Sequence, residues 1–469
     1  MKGKRVHLIG IGGSGLSAIA RLLKESGYQV TGSDRILSPL TQALQEEGIA
    51  VTIGHQAENV YGVDWVVRSS AIPDDNVEVR AALAANIPVL KRADFLGELM
   101  ADRMGIAIAG THGKTTTTAM IAWMLTALGQ DPSYIIGGVA ENLGSNAHAG
   151  KGLPFVIEAD EYDGMFLGLR PRIGVVTNVE YDHPDCYPTV EEYFNAFSKF
   201  TKRLGRDDVL IACGDDLGAV RLLEEASRRG VQTYSYALTM HDCDYQAEHL
   251  QAEVGGCFSF GIMFRGQTLA EGQRVRLQVP GSHNALNALG AITVAHQLDL
   301  DLAPALQALG DFKGSERRFE LAGETAGITV IDDYAHHPSE IRATLAAARS
   351  RYPDRQLWAV WQPHTYSRTR ILRKEYLSVF QDCDRLVVTE IYPAREAPPA
   401  DGFSARQVAA EINHPEITFI PELKKVGDYL LEKLMPGDVL LVLSAGDAYL
   451  ISTRVLQEYR LSASELSKE

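Results

Sequence analysis

The chain has 469 residues, 45% hydrophobic and 22% charged, which is an ordinary globular composition and a length that predicts about three domains. Its formal net charge of −15 argues against nonspecific binding to nucleic acid, because phosphate backbones favour basic surfaces. No stretch approaches the roughly twenty apolar residues of a membrane span, and the first residues resemble no signal peptide. We therefore expect a cytoplasmic protein that binds neither nucleic acid nor membrane.

The chain opens with an apolar strand from Val6 to Ile9, a glycine turn and a helical pattern to about Ser26. A second strand ends at Asp34, about twenty residues after the G-x-G-x-x-G pattern, which is the spacing of a dinucleotide-binding βαβ unit. We interpret the turn as a pyrophosphate site with Asp34 on a ribose or base; the alternative is a turn that only allows tight helix packing. The candidate residues, which include a polar loop after the strand at 65–67, are Gly10, Gly12, Gly13, Ser14, Gly15, Asp34, Ser69 and Ser70.

The most informative segment is Ile108-Ala-Gly-Thr-His-Gly-Lys-Thr-Thr-Thr117, where an apolar run enters a glycine turn that leads into a helical pattern. Backbone N–H groups at such a helix start bind phosphate, Lys114 reaches the terminal phosphates, and the Thr115 hydroxyl can bind Mg²⁺. The motif is a shortened Walker pattern, because Ile108 stands where the full pattern has glycine. We expect ATP or GTP here, the alternative being an ordinary strand-to-helix turn. The candidate residues are Gly110, Thr111, His112, Gly113, Lys114, Thr115 and Thr116.

Acidic clusters follow two consecutive apolar strands. The first cluster is Glu158, Asp160, Glu161 and Asp163, and the second is Glu180, Asp182, His183 and Asp185. Phosphoryl transfer requires a metal ion to neutralise the phosphate oxygens, and carboxylates with an imidazole supply suitable ligands. Glu158 and His183 are the preferred ligands. For either cluster alone, a solvated acidic turn is the alternative.

Two further groups of polar residues lie at the ends of strands or the starts of helices. His283, Asn284 and Asn287 share one face of a helix start, and capping explains Asn284 but not Asn287, whose amide suits a base or a phosphate. In the last third of the chain, arginine and histidine follow apolar strands, a combination that suits recognition of a carboxylate. These residues are Arg317, Arg318, Asp332, Asp333, His336, His337, His364, Ser367 and Arg368.

Strands and helices alternate along the chain, which predicts an α/β protein of three domains. We place the domains at residues 1–104, 105–313 and 314–469, with a small antiparallel insertion between residues 242 and 279 of the second. Ligands of open α/β sheets bind beyond the carboxyl ends of the strands, so the phosphate loop and the acidic strand ends should face one crevice.

Six motifs, taken together and in this order, resemble those of the Mur ligases, the ATP-dependent amide-forming enzymes of peptidoglycan synthesis. The resemblance runs from the N-terminus to about Asp447. It implies a Rossmann-like domain for a UDP-sugar, a central P-loop ATPase-type domain and a Rossmann-like C-terminal domain that delivers the amino acid. The motifs are Gly110 to Thr116, Glu158 to Glu161, Thr177-Asn178 with Asp182-His183, His283 to Asn287, Arg317 to Glu320 and Asp332 to Pro338.

The resemblance also implies roles for individual residues. Lys114, Glu158 and His183 would be catalytic, with Thr115 and Glu158 as ligands of one Mg²⁺ and His183 as a ligand of a second. The glycine turn would hold the UDP pyrophosphate and not NAD. The family's ATP-contacting positions fall on Asn284, Asn287, Arg318 and Asp333, and those that hold the incoming amino acid on His337, His364 and Arg368.

The implied reaction joins L-alanine to UDP-N-acetylmuramate through an acyl phosphate, in a monomer or homodimer. Tyr162 and Tyr181 look more like the tripeptide ligase of cell-wall recycling, and Thr365 replaces a basic residue common beside the histidine, so a tripeptide is the alternative acceptor. A nicotinamide-dependent oxidoreductase would leave the phosphate loop and the acidic clusters unexplained. A nucleotide-gated binding protein would tolerate loss of Lys114 or Glu158, and both are present.

Overall fold

The computed structural model describes residues 3–466, without the side chains of Ser14 and residues 462–466. These residues form three sheets of five, eleven and six strands, flanked by helices. We call the parts of the chain that contain them the N-terminal, central and C-terminal units. The predicted three-domain α/β fold is confirmed. Within the described range, no helix combines the length and the apolar character that crossing a membrane requires.

The N-terminal unit is a parallel sheet whose central strand leads into the glycine turn. Its elements are β1 (Arg5–Ile9), α1 (Ser14–Glu25), β2 (Gln29–Asp34), α2 (Pro39–Glu46), β3 (Ala50–Ile53), the 3₁₀ helix Ala57–Val60, β4 (Trp65–Arg68), α3 (Val77–Ala84), β5 (Val89–Lys91) and α4 (Arg92–Met100). The strand order is β3-β2-β1-β4-β5, so the chain changes direction across the sheet between β1 and β4. Ligands of open α/β sheets bind at this switch point.

The central unit carries the phosphate loop between its first strand and helix. Its elements are β6 (Met104–Ala109), α5 (Lys114–Ala127), β7 (Ser133–Ala140), β8 (Ser145–His148), β9 (Pro154–Glu158), the 3₁₀ segment Tyr162–Gly168, β10 (Ile173–Val176), α6 (Val190–Thr201), β11 (Val209–Cys213), α7 (Leu217–Arg228), β12 (Gln232–Ala237), β13 (Tyr245–Ala252), β14 (Phe258–Phe264), β15 (Gln267–Leu269), β16 (Val275–Arg276), α8 (Ser282–Gln297) and α9 (Leu302–Gly310). The strand order is β15-β14-β13-β12-β11-β10-β6-β9-β7-β8, with β16 on β14. Because β6 lies between β10 and β9 and is parallel to both, the loops after these three strands meet at one edge.

The predicted antiparallel insertion extends the central sheet instead of forming a separate one. β13 pairs in parallel with β12, while β14, β15 and β16 continue the same edge with antiparallel pairing. Phe260 and Ile262 of β14 are fully buried, which anchors the extension to the core.

The C-terminal unit is a mostly parallel sheet with one antiparallel edge strand. Its elements are β17 (Glu320–Thr325), β18 (Ile328–Asp333), α10 (Pro338–Arg351), β19 (Leu357–Trp361), α11 (Tyr366–Ile371), α12 (Arg373–Tyr376), β20 (Arg385–Val388), α13 (Ala405–Ala409), β21 (Ile417–Phe419), α14 (Leu423–Lys433), β22 (Val439–Leu443) and α15 (Tyr449–Leu466). The strand order is β17-β18-β22-β19-β20-β21. Glu340 and His337 form a capping box at the start of α10, and Pro338 occupies the first helical turn.

The molecule has three sheets, but its first two units share one hydrophobic core. One continuous cluster of buried side chains runs from Val6 in the N-terminal unit to Phe312 at the end of the central unit. The C-terminal unit has its own clusters, one on each face of its sheet. Apolar packing therefore joins the first two units, whereas the contacts of the third unit with the site below are largely polar.

The joint between the first two units yields a stability prediction. Gly97 on α4 is buried, and a Cβ atom built there would lie 2.2 Å from the carbonyl oxygen of Gly168. Gly97→Ala should lower the free energy of unfolding by about 1–3 kcal/mol, because backbone atoms on both sides must move. Chemical denaturation would measure the loss. Gly205→Ala is the matched control, since its Cβ would make only ordinary contacts, and an equal effect of the two variants would contradict the prediction.

Candidate active site

The phosphate loop has the backbone geometry that its sequence predicts. Gly113 precedes α5 in a left-handed conformation with φ of 78°, and α5 has no acidic residue in its first turn, so its positive N-terminus is left for an anion. The Lys114 ammonium donates to the carbonyl oxygens of Gly110 (2.5 Å) and Thr111 (3.1 Å) and pairs with Glu161 at 2.9 Å. Burial alone would lower the pKa of Lys114, but the neighbouring carboxylates, Glu161 foremost, raise it. The lysine is therefore a fixed positive charge at the loop.

A hydroxyl and a carboxylate meet beside the loop. The Thr115 hydroxyl donates to Glu158 Oε1 at 3.0 Å, and the Gly137 N–H donates to Glu158 Oε2 at 2.7 Å. Burial raises the pKa of Glu158, and the charges of Lys114 and Arg318 oppose this shift. Hard oxygen ligands of this kind suit Mg²⁺, so these residues fit the ion that phosphoryl transfer requires.

His183 contacts Glu161, the carboxylate that pairs with Lys114. Its Nε2 is 3.5 Å from Glu161 Oε1, and its ring contacts the ring of Tyr162 edge-on with centroids 5.2 Å apart. Burial alone would lower the pKa of His183, but the carboxylates of Asp182 and Glu161 raise it. Glu161, to which the sequence analysis assigned no role, thus connects Lys114 to His183.

A cavity of about 230 Å³ opens beside the phosphate loop between the central and C-terminal units. Asn287 packs against Gly113, where a Cβ atom would lie 2.7 Å from its Oδ1, and its amide donates to Asn284 Oδ1 at 3.2 Å. Gly110, Thr111 and Lys114 lie next to the cavity and not in its wall. The predicted ATP-contacting residues that line it are His112, Gly113, Thr115, Thr116, Asn284, Asn287, Arg318 and Asp333.

The C-terminal unit supplies one wall of this cavity. The Arg318 guanidinium lies 3.5 Å from the Thr115 hydroxyl. Asp333 accepts hydrogen bonds from the N–H groups of Phe319 (2.7 Å) and Ala335 (2.6 Å), and burial raises its pKa to about 6. Arg318, which precedes β17, therefore contacts the central unit at the phosphate loop, and Asp333 at the end of β18 lines the cavity there.

The turn at residues 180–183 makes most of the polar contacts across this boundary. His112 Nε2 donates to Glu180 Oε2 at 3.0 Å, and its Nδ1 lies 3.2 Å from Glu340 Oε1 of α10. The Ser339 hydroxyl donates to Glu180 Oε1 at 2.7 Å. Burial alone would lower the pKa of His112, but Glu180 and Glu340 raise it to about 9. A protonated His112 therefore links the phosphate loop to both carboxylates.

His112, Glu180 and His337 also bring possible metal-ligand atoms within 4.8 Å of one another. Metal binding by imidazole requires the neutral ring, whereas His112 lies between two carboxylates that keep it protonated. We therefore describe this group as an ion-pair cluster.

Asp182 and Arg368 form a buried ion pair between the two units. Arg368 Nε is 2.6 Å from Asp182 Oδ1, Nη2 is 3.2 Å from Oδ2, and the two side chains are 3% and 5% exposed. Arg368 Nη1 donates to His364 Nδ1 at 2.7 Å. The structure thus brings together two of the three residues predicted to hold the amino acid, and adds Asp182.

The third predicted residue, His337, lies elsewhere. It caps α10, and its ring packs against His112 with centroids 4.6 Å apart, on the side of the phosphate loop. Its neighbour His336 is the one beside His364, at 5.5 Å between ring centroids, and 4.0 Å from Asp182. The sequence pattern His-His did not indicate which ring faces which site.

The glycine turn of the N-terminal unit is held by contacts with neighbouring strand ends of the same unit. The Gly12 N–H donates to Asp34 Oδ2 at 2.8 Å, and a Cβ atom added to Gly10 would lie 3.2 Å from the Cβ of Ser69. Asp34 thus holds the turn, while Ser70 is exposed at the same edge. The side chain of Ser14 lies outside the described residues. Arg92, which the sequence analysis did not consider, lies against Gly15 and is 3.4 Å from Asp160 of the central unit.

Comparison with known proteins identifies the class. Three family models match in sequence: the Mur ligase family catalytic domain at residues 5–104, the Mur ligase middle domain at residues 108–295 and the Mur ligase glutamate ligase domain at residues 317–446. The chain belongs to the Mur ligase family.

Within the family, the chain is similar over nearly its whole length to a UDP-N-acetylmuramate–L-alanine ligase of Geobacter sulfurreducens, with 44% identity over 95% of this chain and 96% of that protein. The solved structure of the UDP-N-acetylmuramate–alanine ligase of Thermotoga maritima is 30% identical, covers 98% of this chain and 99% of its own, and has a TM-score of 0.81. A murein peptide ligase of Psychrobacter arcticus is 27% identical, with coverage of 97% and 98% and a TM-score of 0.71.

The His112 cluster yields a prediction for stability against pH. The pKa of His112 is raised from its ordinary value of 6.5 to about 9 in the folded protein. The stabilising effect of the charged ring is therefore complete below pH 6.5 and is lost as pH rises through about 9. At pH 6 the free energy of unfolding of the parent should exceed that of His112→Gln by an amount on the order of 2 kcal/mol, so the parent should melt at a higher temperature. The difference should disappear by about pH 9. Calorimetric melting across this range measures it, and a difference independent of pH would contradict the ion-pair account.

Proposed function

We propose that the protein joins L-alanine to the lactyl carboxylate of UDP-N-acetylmuramate, with conversion of ATP to ADP and phosphate, in peptidoglycan synthesis. One observation carries the proposal: a phosphate loop with its lysine meets a buried arginine and histidine of the C-terminal unit at a single turn, residues 180–183. The similarity to L-alanine ligases over 95% or more of the chain supports the same reaction.

The first step is phosphoryl transfer. The lactyl carboxylate attacks the γ-phosphorus of ATP, the bond to the β-phosphate oxygen breaks, and an acyl phosphate and ADP result. Lys114 at the start of α5 places its charge on the transferred phosphate, as the N–H groups of the helix N-terminus do. We propose that Thr115 and Glu158 hold one Mg²⁺ and that His183 holds a second; the ions neutralise phosphate charge when bound. Arg318 lies within reach of the same place.

The second step is amide formation. The neutral amine of L-alanine attacks the acyl carbon, phosphate leaves, and the nitrogen loses a proton. Arg368 and His364 suit the carboxylate of the amino acid, because each can donate an N–H to one of its oxygens while Asp182 holds the guanidinium through two parallel hydrogen bonds. Burial, His336 and Arg368 lower the pKa of His364 to about 2, so its ring is neutral and can donate only through the nitrogen that Arg368 does not occupy.

The remaining assignments concern the other substrate and the chain as a whole. The glycine turn with Ser69 and Ser70 at the N-terminal switch point suits the UDP pyrophosphate. Domain boundaries at 104/105 and 313/314 stay our prediction, with β6 beginning at Met104. We further propose a cytoplasmic location and a monomer or homodimer.

A tripeptide acceptor is the second candidate. It is favoured by the similarity to a murein peptide ligase and by Tyr162, whose ring lies beside His183 and 5.0 Å from the Arg395 guanidinium. The test is a phosphate-release assay with ATP, Mg²⁺ and UDP-N-acetylmuramate, in which L-alanine and L-alanyl-γ-D-glutamyl-diaminopimelate are compared. A higher kcat/KM for L-alanine supports our proposal, and a higher value for the tripeptide replaces it with recycling.

Removal of the loop lysine should abolish the reaction. Lys114→Ala should lower kcat by at least about a thousandfold, since it removes the ammonium that the loop would place against the transferred phosphate. The N-terminal unit is unaffected, so binding of UDP-N-acetylmuramate by calorimetry should persist. Turnover close to that of the parent would refute the role of the loop.

Removal of the carboxylate beside Thr115 should change the metal requirement. Glu158→Gln keeps the shape and removes the charge, so the Mg²⁺ concentration for half-maximal rate should rise by about tenfold or more. Asp163→Asn is the matched control from the same acidic cluster. Identical Mg²⁺ titrations of Glu158→Gln and the parent would exclude Glu158 as a ligand.

A further inference from the structure

Most N–H groups of Arg368 already have acceptors within the protein. Asp182 accepts from Nε and Nη2, and the Nδ1 and carbonyl oxygen of His364 accept from Nη1, the latter at 3.4 Å. A guanidinium has five N–H donors and these contacts use four of them, so one N–H of Nη2 is left for a further acceptor. That N–H can bind one oxygen of a second carboxylate.

The pair also fixes the histidine beside it. Because Arg368 has no acceptor atom, the contact of its Nη1 with His364 Nδ1 makes that nitrogen the acceptor, and the proton of the neutral ring lies on Nε2. The ring of Tyr392 stacks on His364 with centroids 5.8 Å apart and limits its rotation. One carboxylate thus determines the orientation of the arginine, and the arginine determines the tautomer of the histidine.

Asp182 is bonded to two residues, and Arg368 is the one that engages both of its oxygens. The His183 N–H donates to Asp182 Oδ1 at 2.7 Å, whereas the imidazole rings of His183 and His336 lie 3.8 and 4.0 Å from Oδ2. A carboxylate 4% exposed in the folded protein must be compensated, and the bidentate contact with Arg368 provides the opposite charge. The pair joins the turn after β10 in the central unit to α11 of the C-terminal unit.

We propose that Asp182 is a positioning residue for the acceptor: it holds Arg368 and, through it, His364 in the orientation that receives the carboxylate of the amino acid. This inference rests on the function proposed above. In a competing arrangement, Asp182 occupies the place of the substrate carboxylate and must be displaced. Removal of the Asp182 charge would then lower the KM for L-alanine, whereas positioning by Asp182 predicts a raised KM. The remaining N–H of Arg368 Nη2 and the Nε2–H of His364 favour simultaneous binding of both carboxylates.

The test is steady-state kinetics of the full-length protein with L-alanine, ATP and UDP-N-acetylmuramate. Asp182→Asn should raise the KM for L-alanine by roughly tenfold or more, with the KM values for ATP and the UDP-sugar within about twofold of the parent. A lowered KM for L-alanine would overturn the proposal in favour of displacement, and an unchanged one would overturn both. The matched control is Asp401→Asn, which removes a partner of Arg370 from the same helix at an exposed pair and should change no constant.

Two further measurements separate positioning from folding. Formate added to Asp182→Ala should lower the KM for L-alanine again, because a small carboxylate can occupy the vacated place beside Arg368; the absence of rescue in a variant with parental melting and UDP-sugar binding would count against the proposal. In a double-mutant cycle, Asp182→Asn should add little to the raised KM of Arg368→Lys, because Asp182 acts on the amino acid only through Arg368. Full additivity would contradict the proposal. If the parent itself does not use L-alanine, the proposed function fails and the role of Asp182 fails with it.

Discussion

The arrangement of the site depends on how the C-terminal unit is held against the phosphate loop, which is by charge and not by apolar surface. The first two units share one hydrophobic cluster, whereas the third unit keeps its own clusters and meets the loop through His112, Glu180, Glu340, Asp182 and Arg368. Polar boundaries of this kind are weaker and more readily opened than apolar ones. The C-terminal unit, which we propose delivers the amino acid, is therefore attached through contacts that ligands can strengthen or replace.

This attachment explains why the residues of each reactant lie where they do. The turn at residues 180–183 follows β10, which is the neighbour of β6, so its side chains lie next to the phosphate loop. Glu180 contacts His112 of that loop, and Asp182 contacts Arg368 of α11. A shift of the C-terminal unit would disturb the loop and the acceptor residues together. Closure on binding of substrates would in this way assemble both halves of the reaction at once.

The sequence predicted most of what depends on local pattern. The glycine turns, the strand ends and the opening βαβ unit follow from periodicity and spacing. The phosphate loop and the acidic strand ends are expected to face one crevice, and Thr115 and Glu158 are in contact there. The pairing of Asp182 with Arg368 could not be predicted, since 186 residues separate them. The choice between His336 and His337 depends on which ring caps α10, a detail that spacing alone does not determine.

The site must bind anions although the protein carries a net negative charge. A protein of net charge −15 binds three anionic or zwitterionic molecules, which requires local positive charge that is not already neutralised. Here each buried cation has a carboxylate partner: Lys114 has Glu161, and Arg368 has Asp182. Arg368 keeps one N–H of Nη2 for a substrate oxygen, whereas the three N–H groups of Lys114 all have acceptors, so a phosphate oxygen must replace one of them. The carboxylates thus keep the cations in place, and the helix N-terminus of α5, with the Mg²⁺ ions that we propose, would provide the uncompensated positive charge that phosphate requires.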